Sequence, residues 1–314
     1  MIASGYARWL VRRVSLFAAA ALALLFWMVT ARAQDIEPRS YTNTPVGMNF
    51  LLAAYAYSDG KIAFDPSLPI VDAKFRSNTE ALAYVRSLDV LGNSAKIDVI
   101  VPYSSFSADA TVKGQLRERE MSGLGDPRFR FSMNFIGAPA LSVKDFESYK
   151  QDLIIGAAIQ VSAPLGQYDD TKLLNLGNNR WSFRPELGIS KAVGPWTFEV
   201  MPSVTFFTDN SDFYFGQKFS QSPAYVVQTH VLYSFPSGIW LGLSGTYFQG
   251  ARTSLNGVKA DNEQTTTRAG LTLALPVNRH NSLKLYASSE LSTRTGSGFT
   301  VVGAAWQYRW GEGY

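Results

Sequence analysis

From residue 181 to residue 189 every second side chain is apolar: Trp181, Phe183, Pro185, Leu187 and Ile189. Between them stand Ser182, Arg184, Glu186 and Gly188. A period of two is the signature of a strand with one dry face and one wet face. The pattern returns along the chain. Leu153, Ile155, Ala157, Ile159 and Val161 form one such series, and Trp196, Phe198 and Val200 another. Tyr225, Val227, Val231, Tyr233 and Phe235 follow, then Ala269, Leu271, Leu273 and Leu275. The spacing predicts about twelve strands, most of them ~9–11 residues long, which is the length of a tilted strand crossing a bilayer. Their spans are 46–57, 78–91, 95–104, 127–136, 151–163, 181–191, 196–207, 224–235, 239–249, 265–276, 282–292 and 299–310. In the second of these neither face is plainly apolar.

The connections alternate as regularly as the strands. Those at 58–77, 105–126, 164–180, 208–223 and 250–264 are long and rich in Gly, Asp, Asn and Ser. Those at 92–94, 192–195, 236–238 and 277–281 are tight turns built on Gly-Asn, Val-Gly-Pro, Pro-Ser-Gly and Pro-Val-Asn. Residues 137–150 break the rule and are expected to hold a short helix over 141–149. A soluble sandwich has no reason to alternate in this way, whereas outer-membrane barrels join even numbers of strands by short periplasmic turns and long external loops. Aromatic residues such as Trp196, Tyr233, Trp240, Trp306 and Trp310 fall near strand ends, where interfacial girdles belong. In lipid an open sheet edge would leave backbone groups unsatisfied, so the strands must close. The fold expected is all-β, a transmembrane antiparallel up-and-down barrel of about twelve strands after an N-terminal signal peptide.

That signal is the first 33 residues. Arg8, Arg12 and Arg13 precede an apolar stretch over 14–30 and an Ala31-Arg32-Ala33 cleavage site. After it no run approaches the ~20 apolar residues of a membrane helix. The domains expected are therefore 1–33 as signal peptide, 34–45 as a periplasmic segment or short plug, and 46–314 as barrel. The chain has 29 basic and 25 acidic residues. Four arginines and no acid lie in the signal, so the exported chain holds 25 of each. The balance offers nothing to nucleic acid. There is no cysteine, and His230 and His280 are the only histidines, too few for a thiolate or multi-histidine metal centre. No metal or other cofactor is expected.

With the dry faces turned to lipid, the lumen collects Arg128, Arg130, Asn134, Arg184, Glu186, Glu199, Gln228, His230, Arg268, Lys284, Glu290 and Arg309, with Lys96 and Asp98 as further candidates. Such charges can brace a barrel of this width or shape a narrow solute path. An enzyme acting on lipid would need a Ser–His pair on the lipid side. His230 falls on the lumen side and His280 in a turn, and the carboxylates are scattered rather than paired. The stretch Gly123-Leu124-Gly125-Asp126-Pro127 lacks the Lys-Ser/Thr of a phosphate loop and precedes a strand. It reads as the turn by which the chain re-enters the barrel.

Several long stretches carry a family resemblance: GLGDPRFRFSMNFIGAPAL (123–141), APLGQYDDTKLLNLGNNRWSFRPELGISKAVGPW (163–196), FFTDNSDF (206–213), SLKLYASSELSTRTGSGF (282–299) and WQYRW (306–310). In this order they resemble the MetA-pathway of phenol degradation family of outer-membrane proteins, over nearly the whole exported chain. The resemblance implies a barrel that passes hydrophobic compounds and brings no catalytic residues. It also marks Asn175, Gly177, Asn179 and Arg180 as a family feature at the external mouth, where they can serve as a turn or touch the solute. The function expected is a passive, monomeric channel for small hydrophobic or aromatic, phenol-like compounds in the outer membrane of a Gram-negative cell. It would sit in outer-membrane lipid and be inserted by the barrel-assembly machinery. The alternatives are a lumen-filled structural or interaction barrel and an outer-membrane lipid-modifying enzyme.

Overall fold

The computed structural model describes residues 37–62, 70–112, 115–294 and 297–311. The expected signal peptide (1–33), residues 34–36 and the last three residues of the chain lie outside these. Among the described residues seventeen strands and one short helix follow in order: β1 (Asn49–Ile62), β2 (Ile70–Val90), β3 (Asn93–Val112), β4 (Gln115–Leu124), β5 (Arg128–Ile136), α1 (Val143–Phe146), β6 (Leu153–Ser162), β7 (Ser182–Val193), β8 (Trp196–Phe207), β9 (Asn210–Phe213), β10 (Gln217–Gln221), β11 (Ala224–Ser234), β12 (Trp240–Gly250), β13 (Thr253–Leu255), β14 (Val258–Lys259), β15 (Gln264–Pro276), β16 (Asn281–Arg294) and β17 (Ser297–Trp310).

Twelve of them close a barrel. Going round it, β1, β2, β3, β5, β6, β7, β8, β11, β12, β15, β16 and β17 each pair antiparallel with the next, and β17 returns to β1 in register from Asn49↔Trp310 to Ile62↔Ser297. Closure removes the sheet edge that lipid would not tolerate. The outer face is a belt of large apolar side chains, with Leu187, Leu243 and Leu271 each more than half exposed. Near the periplasmic rim, aromatic rings run along the surface. Trp196 meets Tyr233 at 4.9 Å and Tyr233 meets Phe235 at 4.8 Å, while Tyr308 stacks on Trp310 at 5.5 Å.

Three expectations need correction. The connections at 105–126, 208–223 and 250–264 are not simple loops. β3 runs on to Val112 and pairs there with β4, and β2 follows it upward to Ile70↔Val112. β9, β10, β13 and β14 form a separate four-stranded sheet above the barrel, sealed by Phe213, Phe219 and Leu255. The second span also starts earlier than expected, at Ile70, and both of its faces are mixed. The inner face of β2 carries Phe75, Ala81 and Ala83, and the outer face carries Arg76, Asn78 and Glu80 beside Leu82 and Tyr84. The helix at 137–150 is a single turn, capped where Ser142 Oγ accepts from Asp145 N at 3.1 Å.

Candidate functional site

The lumen is organised in three levels. At the periplasmic level the chain before β1 lies inside the barrel, tied at almost every residue. Arg39 N donates to Glu199 Oε2 at 2.8 Å, and the Arg39 guanidinium bonds Ser234 and rests 5.0 Å from the Trp240 ring. Lys96 Nζ donates to the carbonyls of Ser40 and Thr42 at 3.0 and 2.9 Å. Tyr41 Oη donates to Glu186 Oε1 at 2.9 Å, and its carbonyl accepts from Asn134 Nδ2 at 3.0 Å. The Tyr41 ring lies on Gly156 and Gly188, which are cross-strand partners of β6 and β7. A Cβ on Gly188 would come within 2.1 Å of the ring. Glycine is required here because another residue's ring passes over the backbone.

Beside this segment sits the densest charge cluster. Arg130 pairs with Glu186 at 3.1 Å and with Asp98 at 3.4 Å, all three buried. Glu199 also accepts from Ser190 Oγ at 3.0 Å. Further round the wall, Gln228 is buried and His230 Nδ1 lies 2.8 Å from Ser244 Oγ. This serine–histidine pair is on the inner face, Ser244 2% and His230 1% exposed, turned away from lipid. Arg268 donates to Ser288 Oγ and to the Phe299 carbonyl across the seam of β15, β16 and β17. Glu290 lies against Gly298 just beyond Ser288↔Val301, the last pair joining β16 to β17. Arg309 Nε donates to the Arg279 carbonyl at 2.8 Å and so holds the rim turn. Among the described residues no group of three His, Asp or Glu is placed to hold a metal ion.

The middle level is a chamber of about 410 Å3. Arg128, Arg184 and Lys284 face into it, and Arg184 Nη2 donates to Gln160 Oε1 at 3.1 Å. The other wall, from β1, β2 and β17, carries no charge and is mainly aliphatic, with Leu52, Ala54, Ala81, Ala83 and Ala305 beside the hydroxyls of Ser58, Ser77 and Thr79. Polar positions alone therefore miss half of the chamber. The signal that could reveal it is the same strand parity, read for alanine and leucine on the inward positions of β1 and β2.

At the external level the connection between β6 and β7 folds over the mouth. Leu174 and Leu176 pack on Phe75 and Phe106, whose rings stack at 5.5 Å. Asn175 lines the chamber and ties its own loop through Asp169. Gly177 touches Gly166 closely, with room for no Cβ, and Asn179 adopts a positive φ of 49° while donating to Asn210 Oδ1 at 3.1 Å. Arg180 is buried under the upper sheet, 4.4 Å from the Phe207 ring and 5.3 Å from Phe219, and bonds Gln221. The loop is thus a built cover, touching the chamber through Asn175, Leu176 and Asn178.

Comparison with known proteins agrees with this geometry. The profile of the family described as "Putative MetA-pathway of phenol degradation" matches residues 54–308. No curated protein sequence matches. Among solved structures, an outer membrane channel from Pseudomonas putida F1 superposes with a TM-score of 0.75 at 19% identity, covering 88% of this chain and 100% of its own. The transport unit of the autotransporter AIDA-I from Escherichia coli gives 0.54 at 8% identity, over 93% and 98% of the two chains. The beta domain of the Bordetella autotransporter BrkA gives 0.51 at 8% identity, over 84% and 100%. At these identities the likeness is one of fold.

Proposed function

This chain belongs to the MetA-pathway of phenol degradation family, and from that premise we propose that it is a passive channel admitting small hydrophobic or aromatic, phenol-like compounds. Its closed barrel with an apolar belt is that of an outer-membrane protein of a Gram-negative cell. The observation that carries the reading is the chamber of about 410 Å3 with one aliphatic wall, set between the mouth loop and the N-terminal segment. A dry cavity of about 150 Å3 already holds a benzene ring, so the space is ample for a small aromatic solute. Flow through such a channel would follow the solute gradient.

One observation favours the alternative of a filled, structural barrel. The N-terminal segment is bonded to Lys96, Asn134, Glu186 and Glu199 from four different staves. Single-channel recording of the refolded exported chain, residues 34–314, with and without phenol, decides between the two. Stable ohmic steps altered by phenol support the channel. A folded but silent barrel that also fails to admit phenol into vesicles supports the structural role.

A further inference from the structure

The chamber is amphipathic in a specific sense. An uncharged, mainly aliphatic stave runs from β17 through β1 and β2 to β3, with Ser58, Ser77, Thr79 and Ser104 among its apolar side chains. Cationic side chains flank that stave on both sides, Lys284 from β16 and Arg128 and Arg184 from β5 and β7. The acids among the described lining residues are Glu37 and Asp126. Asp126 is engaged by three N–H groups of the mouth loop. Glu37 comes from the N-terminal segment rather than from the wall, and its carboxylate lies in the field of Arg130, Lys284, Arg128 and Arg184.

A neutral phenol needs the aliphatic wall and one hydrogen-bond partner. It does not need three cations, each of which is costly to desolvate beside alanine. What uses both walls is an apolar body carrying a carboxylate. The body covers the Leu52–Ala54–Ala81–Ala83 surface, and the carboxylate meets guanidinium and ammonium groups in a partly dehydrated space where such hydrogen bonds are strong. Glu37, itself a lining residue, already places a carboxylate in this chamber.

We propose that the chamber is a binding site for small amphipathic organic anions, a carboxylate on an aromatic or alicyclic body, and that Glu37 is the resident counter-ion such a solute displaces. This deepens the channel reading by naming the solute class of the same chamber. Displacement also has a consequence: a bound anion releases Glu37 and loosens the start of the N-terminal segment.

Equilibrium binding to the folded exported chain in detergent tests it, with folding followed by heat-dependent electrophoretic mobility. The probes are benzoate, its uncharged isostere benzamide, and acetate, which has the charge without the ring. Benzoate is expected to bind at least about tenfold more tightly than either of the others, a difference of ~1.4 kcal/mol. In Arg184→Gln/Lys284→Gln the benzoate preference is expected to vanish. Glu37→Gln, which alters no strand, is expected to tighten benzoate several-fold by removing the competitor. Equal binding of benzoate and benzamide, or a Glu37→Gln protein with unchanged affinity, overturns the proposal. Permeation of phenol and benzoate into vesicles is read separately. Phenol entry without benzoate binding leaves the channel standing and removes the anion site; benzoate binding without any permeation does the reverse.

Discussion

Asp126 Oδ2 accepts two hydrogen bonds from one residue, the backbone N–H of Asn178 at 2.8 Å and its side-chain amide at 2.7 Å. Oδ1 accepts from the Gly166 N–H at 3.0 Å. The short turn before β5 is thereby latched to both arms of the loop that covers the mouth. Asp126 is 7% exposed, and three N–H donors stand where water would otherwise be.

Asp126→Asn keeps the shape but removes the charge and one strong acceptor. The expected cost is about 1–3 kcal/mol, confined to the loop. Limited proteolysis checks it: cleavage within residues 163–181 should accelerate while the strands stay protected. Equal cleavage rates in both proteins would mean that the Leu174 and Leu176 contacts hold the cover alone.

The same residue gives a pH dependence. Burial raises its pKa above the ordinary 3.8 despite the Asn178 and Gly166 bonds. The folded chain therefore takes up the Asp126 proton at a higher pH than the unfolded chain does. Proton uptake on folding means that this group favours the folded state increasingly as pH falls from the raised value to the ordinary one, and is flat outside that window. The stability difference between the native protein and Asp126→Asn, measured by urea unfolding at steps from pH 7 to pH 4, should grow in favour of the native protein on acidification. A shrinking difference would show that the carboxylate is held by its donors more strongly than burial opposes it.

These relationships mark where sequence patterning stops being informative. β7 and β8 are legible almost to the residue, because one face meets lipid and the other the lumen, and the contrast repeats for twelve residues. β9, β10, β13 and β14 are two to five residues long, too short for any period to show. β2 is obscured because both faces are mixed: Arg76 and Glu80 stand beside Leu82 on the outside, and Ser77 and Thr79 beside Ala81 and Ala83 on the inside. Parity puts Arg128 and Arg130 on one face, but only the fold separates the one that faces a chamber from the one locked between Asp98 and Glu186. Long-range partners leave no local trace: Asn178 is 52 residues from Asp126, and the Gly156–Gly188 notch is explained only by a tyrosine before the first strand.

Arg130 is the buried hub of the wall. Removing it leaves Asp98 and Glu186 as uncompensated buried carboxylates, and breaking a buried pair from one side costs about 3–5 kcal/mol. Arg130→Met should lower barrel stability by an amount of that order in urea titrations, well beyond the effect of Arg309→Met at the rim. Adding Glu186→Gln to Arg130→Met should recover part of the loss, since the stranded charge is removed along with its partner. If Arg130→Met costs less than about 1 kcal/mol, water must reach the cluster and the wall is not dry there.

The Tyr41 notch controls whether the periplasmic half of the lumen is filled. Gly188→Ala would put a methyl group 2.1 Å from Cε2 of the ring, a contact that no rotamer of a tethered tyrosine relieves without leaving the notch. Overpacking of this kind costs about 1–3 kcal/mol. Moving the N-terminal segment is the cheaper response, because the twelve-strand ladder does not depend on it. Gly188→Ala should therefore raise conductance without lowering the unfolding midpoint. Tyr41→Ala and deletion of residues 37–44 should raise it as well, the deletion furthest, since it also removes Arg39 from Glu199 and the carbonyls held by Lys96. Gly188→Ala should add nothing in the Tyr41→Ala background, as both act through one contact. If all three variants fold and conduct as the native barrel does, the segment lines an existing path rather than blocking it, and the route past the chamber lies elsewhere around the wall.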